Sequence, residues 1–150
     1  MSKIKEIENE GRTKLTTTFP NIQWKFTDYS EVFDAETTKG NKKIIAEIKV
    51  RDFPHWQYST AILEAEKLEK LQDENADTII YVNHYTNGFT ATWNLTKTDF
   101  ELIETNSFLC HKYTLAPSNK VLKKMYYLPL KDADLRKTDT GIKVQPRPKN

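Results

Sequence analysis

The chain has 150 residues, 37% hydrophobic and 29% charged, a length and balance that suit one compact domain with its own core and exclude a disordered or low-complexity chain. Its formal net charge is +2, so no strong field of one sign advertises nucleic acid, and any positive surface must be local. A single cysteine, Cys110, excludes an internal disulfide framework, and the absence of a Cys/His cluster at ligand spacing argues against structural zinc. The opening stretch lacks the apolar centre of a signal peptide and no apolar run approaches spanning length. The expectation is therefore a cytoplasmic protein with no membrane contact.

In chain order, Ser2 is placed to cap a helix from Lys3 to about Thr16, with Ile4, Ile7, Gly11 and Leu15 as a narrow apolar stripe. Phe19-Pro20-Asn21 ends it. Ile22 to Thr27 alternates as a half-buried strand, Asp28-Tyr29-Ser30 reads as a turn, and Glu31 to Glu36 as a second strand on which Asp34 and Glu36 share a face. Thr37 to Asn41 has turn composition. Lys43 to Val50 then sets Ile44, Ala46, Ile48 and Val50 on one face and Ile45, Glu47 and Lys49 on the other.

Arg51 to Trp56 is a loop in which His55 and Trp56 are candidates for touching DNA. Tyr58, Ala61, Ile62, Ala65, Leu68 and Leu71 recur at helical spacing, predicting a helix from Tyr58 to Asp73 that buries Ile62, Ala65 and Leu68 against the sheet. Thr78 to Asn83 is a short apolar run expected at a sheet centre, and Asn87-Gly88 marks a hairpin into the alternating Phe89, Ala91, Trp93 and Leu95. Thr98 and Glu101 form a capping box opening a short helix to about Thr105. Phe108 to Thr114 and Lys123 to Leu128 read as further strands, the latter stopped by Pro129. His84 and His111 read as structural histidines. The polar remainder divides the chain into a domain over 1–130 and a poorly ordered tail over 131–150.

The chemistry concentrates on Asp34, Glu47 and Lys49. Same-face neighbours on a strand lie about 6.5–7 Å apart, so Glu47 and Lys49 can serve one reacting atom. A hairpin across Thr37–Asn41 returns the chain to set Asp34 beside Glu47. Two carboxylates at a sheet edge suit Mg²⁺ or Mn²⁺, which take a few carboxylate oxygens and keep positions open for water and phosphate. A nearby lysine can orient the attacking water or neutralise charge growing on a phosphoryl oxygen. The plainer reading is a solvated strand face and a turn aspartate.

The string D-x₁₂-E-I-K, Asp34 to Lys49, resembles the core motif of the PD-(D/E)XK nuclease superfamily. Phe33 stands where that motif often has a proline. The resemblance implies Asp34 and Glu47 as metal carboxylates, the Ile48 carbonyl as a further metal ligand, and Lys49 as the catalytic lysine. It also implies an acid on the first helix, Glu6 or Glu10 with Glu10 preferred, and Glu36 as a reserve ligand. Tyr58 and Lys67 resemble the tyrosine and lysine that many members carry on the following helix. For these accessory positions the plainer readings are solvated glutamates, a core tyrosine and a surface lysine. The element order matches an α/β restriction-endonuclease-like αβββαβ core, a mixed central sheet flanked by helices, over residues 1–95. The implied function is divalent-metal-dependent hydrolysis of DNA phosphodiester bonds. The alternative is an inactive nucleic-acid-binding or assembly module of the same fold. A homodimer is compatible with either.

Overall fold

The computed structural model describes residues 3–28, 31–113 and 116–138, with 110–113 and 116–119 described by backbone alone. Its organising strand is β3 (Lys42–Val50), whose alternation is covered on both faces. Ile45 and Glu47 are buried on one face and Ala46 on the other, which is why the strand is apolar on more than one side. On one flank β3 pairs antiparallel with β2 (Ala35–Lys39), from Ala35↔Ala46 to Lys39↔Lys42. The two are joined by Gly40-Asn41, with Gly40 at φ 64, the arrangement of a two-residue hairpin that opens on glycine. On its other flank β3 runs parallel to β5 (Thr78–His84), from Ile44↔Thr78 to Val50↔His84. Parallel neighbours need a long crossover. Here it consists of β4 (Thr60–Glu64) and α2 (Ala65–Gln72).

With β1 (Lys25–Phe26), β6 (Thr90–Asn94) and β9 (Leu135–Lys137) the central sheet is mixed and six-stranded, in the order β1-β2-β3-β5-β6-β9. A second sheet has the order β4-β8-β7, where β7 is Thr105–Tyr113 and β8 is Ala116–Pro129. The molecule is thus mixed α/β with two helices among the described residues. Helix α1 (Lys3–Thr18) lies on the Ala46 face, where Leu15, Ala35, Ala46 and Val82 form a small core. The approach is close: a Cβ on Gly11 would meet Ile48 Cγ2 at 2.9 Å and Val50 Cγ2 at 3.2 Å. Helix α2 and the second sheet cover the other face through Phe33, Ile45, Leu63, Leu68, Leu71 and Tyr81. No described helix is long and apolar enough to cross a membrane.

Several expectations need correction. The helix from Tyr58 to Asp73 exists only from Ala65 onward. In Thr60–Glu64 the backbone pairs with β8 from Pro129 to Met125, so burial follows period two: Ala61 and Leu63 are buried, while Ile62 is 40% exposed. Leu68 is buried as expected, but Ala65 is only half-buried. The strand expected over Ile22–Thr27 shrinks to two paired residues. The strand expected over Glu31–Glu36 starts at Ala35, leaving Asp34 just before it. The capping box does not form. Thr98 Oγ1 donates instead to Asn94 O (2.8 Å), and Asp99 Oδ1 caps a single 3₁₀ turn, Phe100–Leu102, by accepting from Glu101 N (3.1 Å).

The domain boundary at 130 also moves. Asp134 N donates to Thr92 O (2.8 Å), Lys137 Nζ donates to Thr18 O (2.6 Å), and β9 extends the central sheet. Ordered structure therefore continues to Thr138, and the rest of the expected tail lies outside the described residues. His84 is buried, with Nδ1 2.8 Å from Thr90 Oγ1. The side chain of His111 lies outside the described residues.

Candidate functional site

The site is a notch in the edge of β3. The last β2–β3 pair is Ala35↔Ala46, so beyond Ala46 that flank of β3 has no strand beside it among the described residues. Asp34 fills the first part of the gap. Its N–H donates to Ala46 O (3.0 Å) and its Oδ2 accepts from Ile48 N (2.7 Å). The N–H and C=O of one strand residue point to the same flank, so the Ile48 carbonyl also faces the notch. The Asp34 backbone is fixed in turn: Thr27 N donates to Asp34 O (3.0 Å), and Thr27 Oγ1 donates to Phe33 O.

Glu47 is 4% exposed and its carboxyl lies within hydrogen-bonding reach of that of Asp34. Burial, and then the hydrogen bond and charge of Asp34, push the Glu47 carboxyl up to about 8, against the opposing pull of Lys67 and Lys49. Lys67, on α2, places Nζ 3.0 Å from Glu47 Oε2 and donates to Val32 O (2.8 Å). Lys49 lies two residues further along β3, exposed, with its charge felt by both Glu47 and Glu8. Glu8, on α1, is raised by partial burial and by Asp34, opposed by Arg12, Lys49 and Lys5. Its Oε2 is buried without a hydrogen-bond partner.

The structure therefore brings Asp34, Glu47, the Ile48 backbone, Lys49 and Lys67 together. It does not bring Glu10, which is exposed and pairs with Lys14 at 3.3 Å. Glu6 is also exposed. Glu36 points to the hairpin side and pairs with Lys43 (3.7 Å) and Lys25 (4.0 Å). Tyr58 is not on a helix. It sits in the loop before β4, 54% exposed, edge-on to Phe53. Lys67 is half-buried and tied to Glu47 rather than free at the surface.

Glu8 is the residue that reading the sequence missed. The signal was present, because Glu8 lies three and seven residues before the buried Gly11 and Leu15, the spacing of one helix face. Glu10 is out of phase with both.

Among the described residues no group of three or more His, Cys, Asp or Glu side chains is gathered as a metal site. The donor set nevertheless fits a hard divalent ion of the Mg²⁺ type, which takes one or two carboxylates and keeps several waters. Asp34, Glu47 and the Ile48 carbonyl supply oxygens to one notch, and the unpartnered Glu8 oxygen lies in the same electrostatic neighbourhood. A cleft of about 730 Å³ between α2 and β8 shares only Lys67 with the site and is lined also by Lys70, Lys123 and Lys124 together with Glu64 and Glu66. Neither a scan of protein-family models nor a sequence comparison with curated proteins finds a match to this chain.

Proposed function

We propose that the chain is a divalent-metal-dependent nuclease of the PD-(D/E)XK type, hydrolysing DNA phosphodiester bonds on a restriction-endonuclease-like core. One observation carries this reading. A buried glutamate and an aspartate meet carboxyl to carboxyl at an open sheet edge, with two lysines beside them. Folding gains nothing from burying a carboxyl whose ionisation the site then suppresses, so the arrangement suits a cation and a phosphate. The order α1, β1, β2, β3, α2, β5, with β3 and β5 parallel, supports the same core, with β4 of the second sheet added between β3 and α2.

Asp34, Glu47 and the Ile48 carbonyl would hold the ion, which when bound supplies a water of lowered pKa and a positive charge beside the scissile phosphate. Asp34 keeps the notch in register through its bond from Ile48 N. Lys49 projects from the same strand face as Glu47 and supplies its ammonium to the phosphoryl oxygens as charge grows on them, or orients the attacking water. Glu8 offers its free oxygen as an acceptor for a water on the α1 side. Lys67 lies against Glu47 in the ion-free protein and is close enough to contact the incoming phosphate.

The Lys67–Glu47 pair favours one rival: an inactive nucleic-acid-binding module in which the ammonium permanently replaces the cation. Incubating the purified protein with plasmid and linear DNA, with and without Mg²⁺ or Mn²⁺, decides between them. The nuclease reading expects metal-dependent cleavage that Asp34→Asn abolishes. Binding without cleavage under either metal would establish the rival.

A further inference from the structure

Beyond Lys49 the strand β3 runs into the loop that carries His55, Trp56 and Tyr58. Arg51 begins it, two residues or about 7 Å along the strand from Lys49. Its backbone N–H donates to His84 O (2.7 Å) and its guanidinium to Asn83 Oδ1 (2.5 Å), Tyr81 OH (2.9 Å) and Ile62 O (2.8 Å). The loop from Asp52 to Ser59 is then pinned to the β5–β6 hairpin. Thr86 N donates to Phe53 O (3.1 Å), and His55 N donates to Asn87 Oδ1 (3.1 Å) while Asn87 Nδ2 and His55 Nδ1 lie 2.7 Å apart. The His55 ring stacks on Phe89 with centroids 4.0 Å apart and planes 16° from parallel.

On this fixed base two rings are left out in solvent. Trp56 is 71% exposed, edge-on to His55, and Tyr58 is 54% exposed, edge-on to Phe53. Two large rings held out on one ordered loop offer apolar faces that a partner can cover. Their neighbours decide what that is. Asp52, Gln57 and Ser59 are exposed and polar, and the loop exposes no large aliphatic side chain. A protein-binding patch would centre on an apolar core with a polar rim. Flat rings in a polar setting, on a loop whose first residue, Arg51, lies two positions past the exposed Lys49, suit stacking on nucleobases, whose π faces accept any aromatic surface.

We propose that the loop between β3 and β4 is a stacking platform for unpaired bases, with Trp56 and Tyr58 as its rings, so that the substrate is single-stranded or frayed DNA. This rests on the nuclease reading for the identity of the polymer, and it adds the strandedness. Bases in an intact duplex present edges rather than faces, so the platform discriminates against paired DNA at the end of β3.

The test is binding in chelator, where no cleavage occurs. A labelled oligothymidylate and a duplex of matched length are titrated with wild type, Trp56→Ala, Trp56→Phe and Tyr58→Ala. Trp56→Ala is expected to weaken single-strand binding roughly 5- to 100-fold, with Tyr58→Ala weaker in the same sense. Trp56→Phe should retain most of the affinity, and duplex binding should stay unchanged. Wild-type tryptophan emission should be quenched by the oligonucleotide, and the quench should disappear in Trp56→Phe. Unchanged single-strand affinity in Trp56→Ala overturns the proposal and gives the rings to a protein partner. Equal losses on single strand and duplex overturn it too. A wild type that binds the single strand through Trp56 but cuts nothing with metal present sinks the nuclease reading and leaves this one standing.

Discussion

The two ends of β3 differ in a way that separates what the fold needs from what it does not. At the hairpin end both flanks are paired, and charges meet opposite charges near the surface. Lys43 N donates to Asp77 Oδ2 (2.8 Å), Lys43 O accepts from Asp77 N (2.9 Å), and the Lys43 ammonium lies 3.7 Å from Glu36. At the far end one flank stops at Ala46, and the exposed backbone is met by the Asp34 side chain instead of a strand. There a carboxyl is buried against another, and a third carboxylate on α1 adds to the repulsion. The first end is built as stability requires. The second accepts a cost, and such costs concentrate where a protein acts.

Variants at the two ends should therefore fail differently. The largest effect is expected at the open end: Lys49→Ala should slow DNA cleavage at saturating substrate by on the order of 10²–10³-fold, while DNA and metal binding largely survive. A variant that cuts as fast as wild type would make Lys49 a plain strand-face lysine. At the closed end, Ile45→Ala should cost roughly 2–5 kcal/mol in a denaturant melt, because Ile45 is fully buried in the larger core. A loss below about half a kcal/mol would mean that this core collapses around the cavity far better than its packing indicates.

Two buried titratable groups, one on each face of the sheet, give opposite pH signatures. His84 is pushed down from 6.5 to about 4 by burial and then by Lys14. Between those values the unfolded chain binds more protons, so stability rises with pH across the window and is lost as pH falls through it, by about 3 kcal/mol. Glu47 behaves in the other sense. Its folded pKa is raised from 4.5 to about 8, so the folded state holds the extra proton and metal-free stability falls as pH rises through that range. Because the windows overlap, the slopes are read from variants. Glu47→Gln should remove the falling limb and His84→Gln the rising one, in urea melts at stepped pH without divalent metal. A Glu47→Gln profile parallel to wild type would show that Glu47 ionises freely.

A smaller effect lies beneath the open end. Gly11→Ala drives a methyl toward Ile48 and Val50, whose near atoms are side-chain carbons of β3, and should destabilise by roughly 1–3 kcal/mol. It should also lower cleavage by shifting the strand that carries Glu47 and Lys49. A neutral melt would mean that α1 simply moves away.

The sequence was most readable where one period dominated. The alternation in β3 and in the Phe89–Leu95 strand placed both correctly, and the turn glycine at Gly40 brought Asp34 back beside Glu47. The stretch from Tyr58 to Leu71 was not readable, because its apolar positions fit a helix while Ala61 and Leu63 also fit a strand. The choice between them is made by β8, whose pairing residues lie more than sixty positions away. Similarly, β9 looked like tail because three polar-flanked residues become a strand only beside β6. Within the site, the β-strand residues were visible from local pattern. Glu8 required the phase of α1 against the sheet, which the buried pair Gly11 and Leu15 sets.

The central claim is that the notch between Asp34 and Glu47 takes a divalent cation. Calorimetric titration of Mn²⁺ into wild type and Asp34→Asn at constant pH tests it directly. Wild type should bind one ion per chain, more tightly as pH rises toward 8 because Glu47 must release its proton, and Asp34→Asn should bind at least about tenfold more weakly. A wild type that shows no saturable uptake, or a variant that binds as tightly as wild type, would contradict the account.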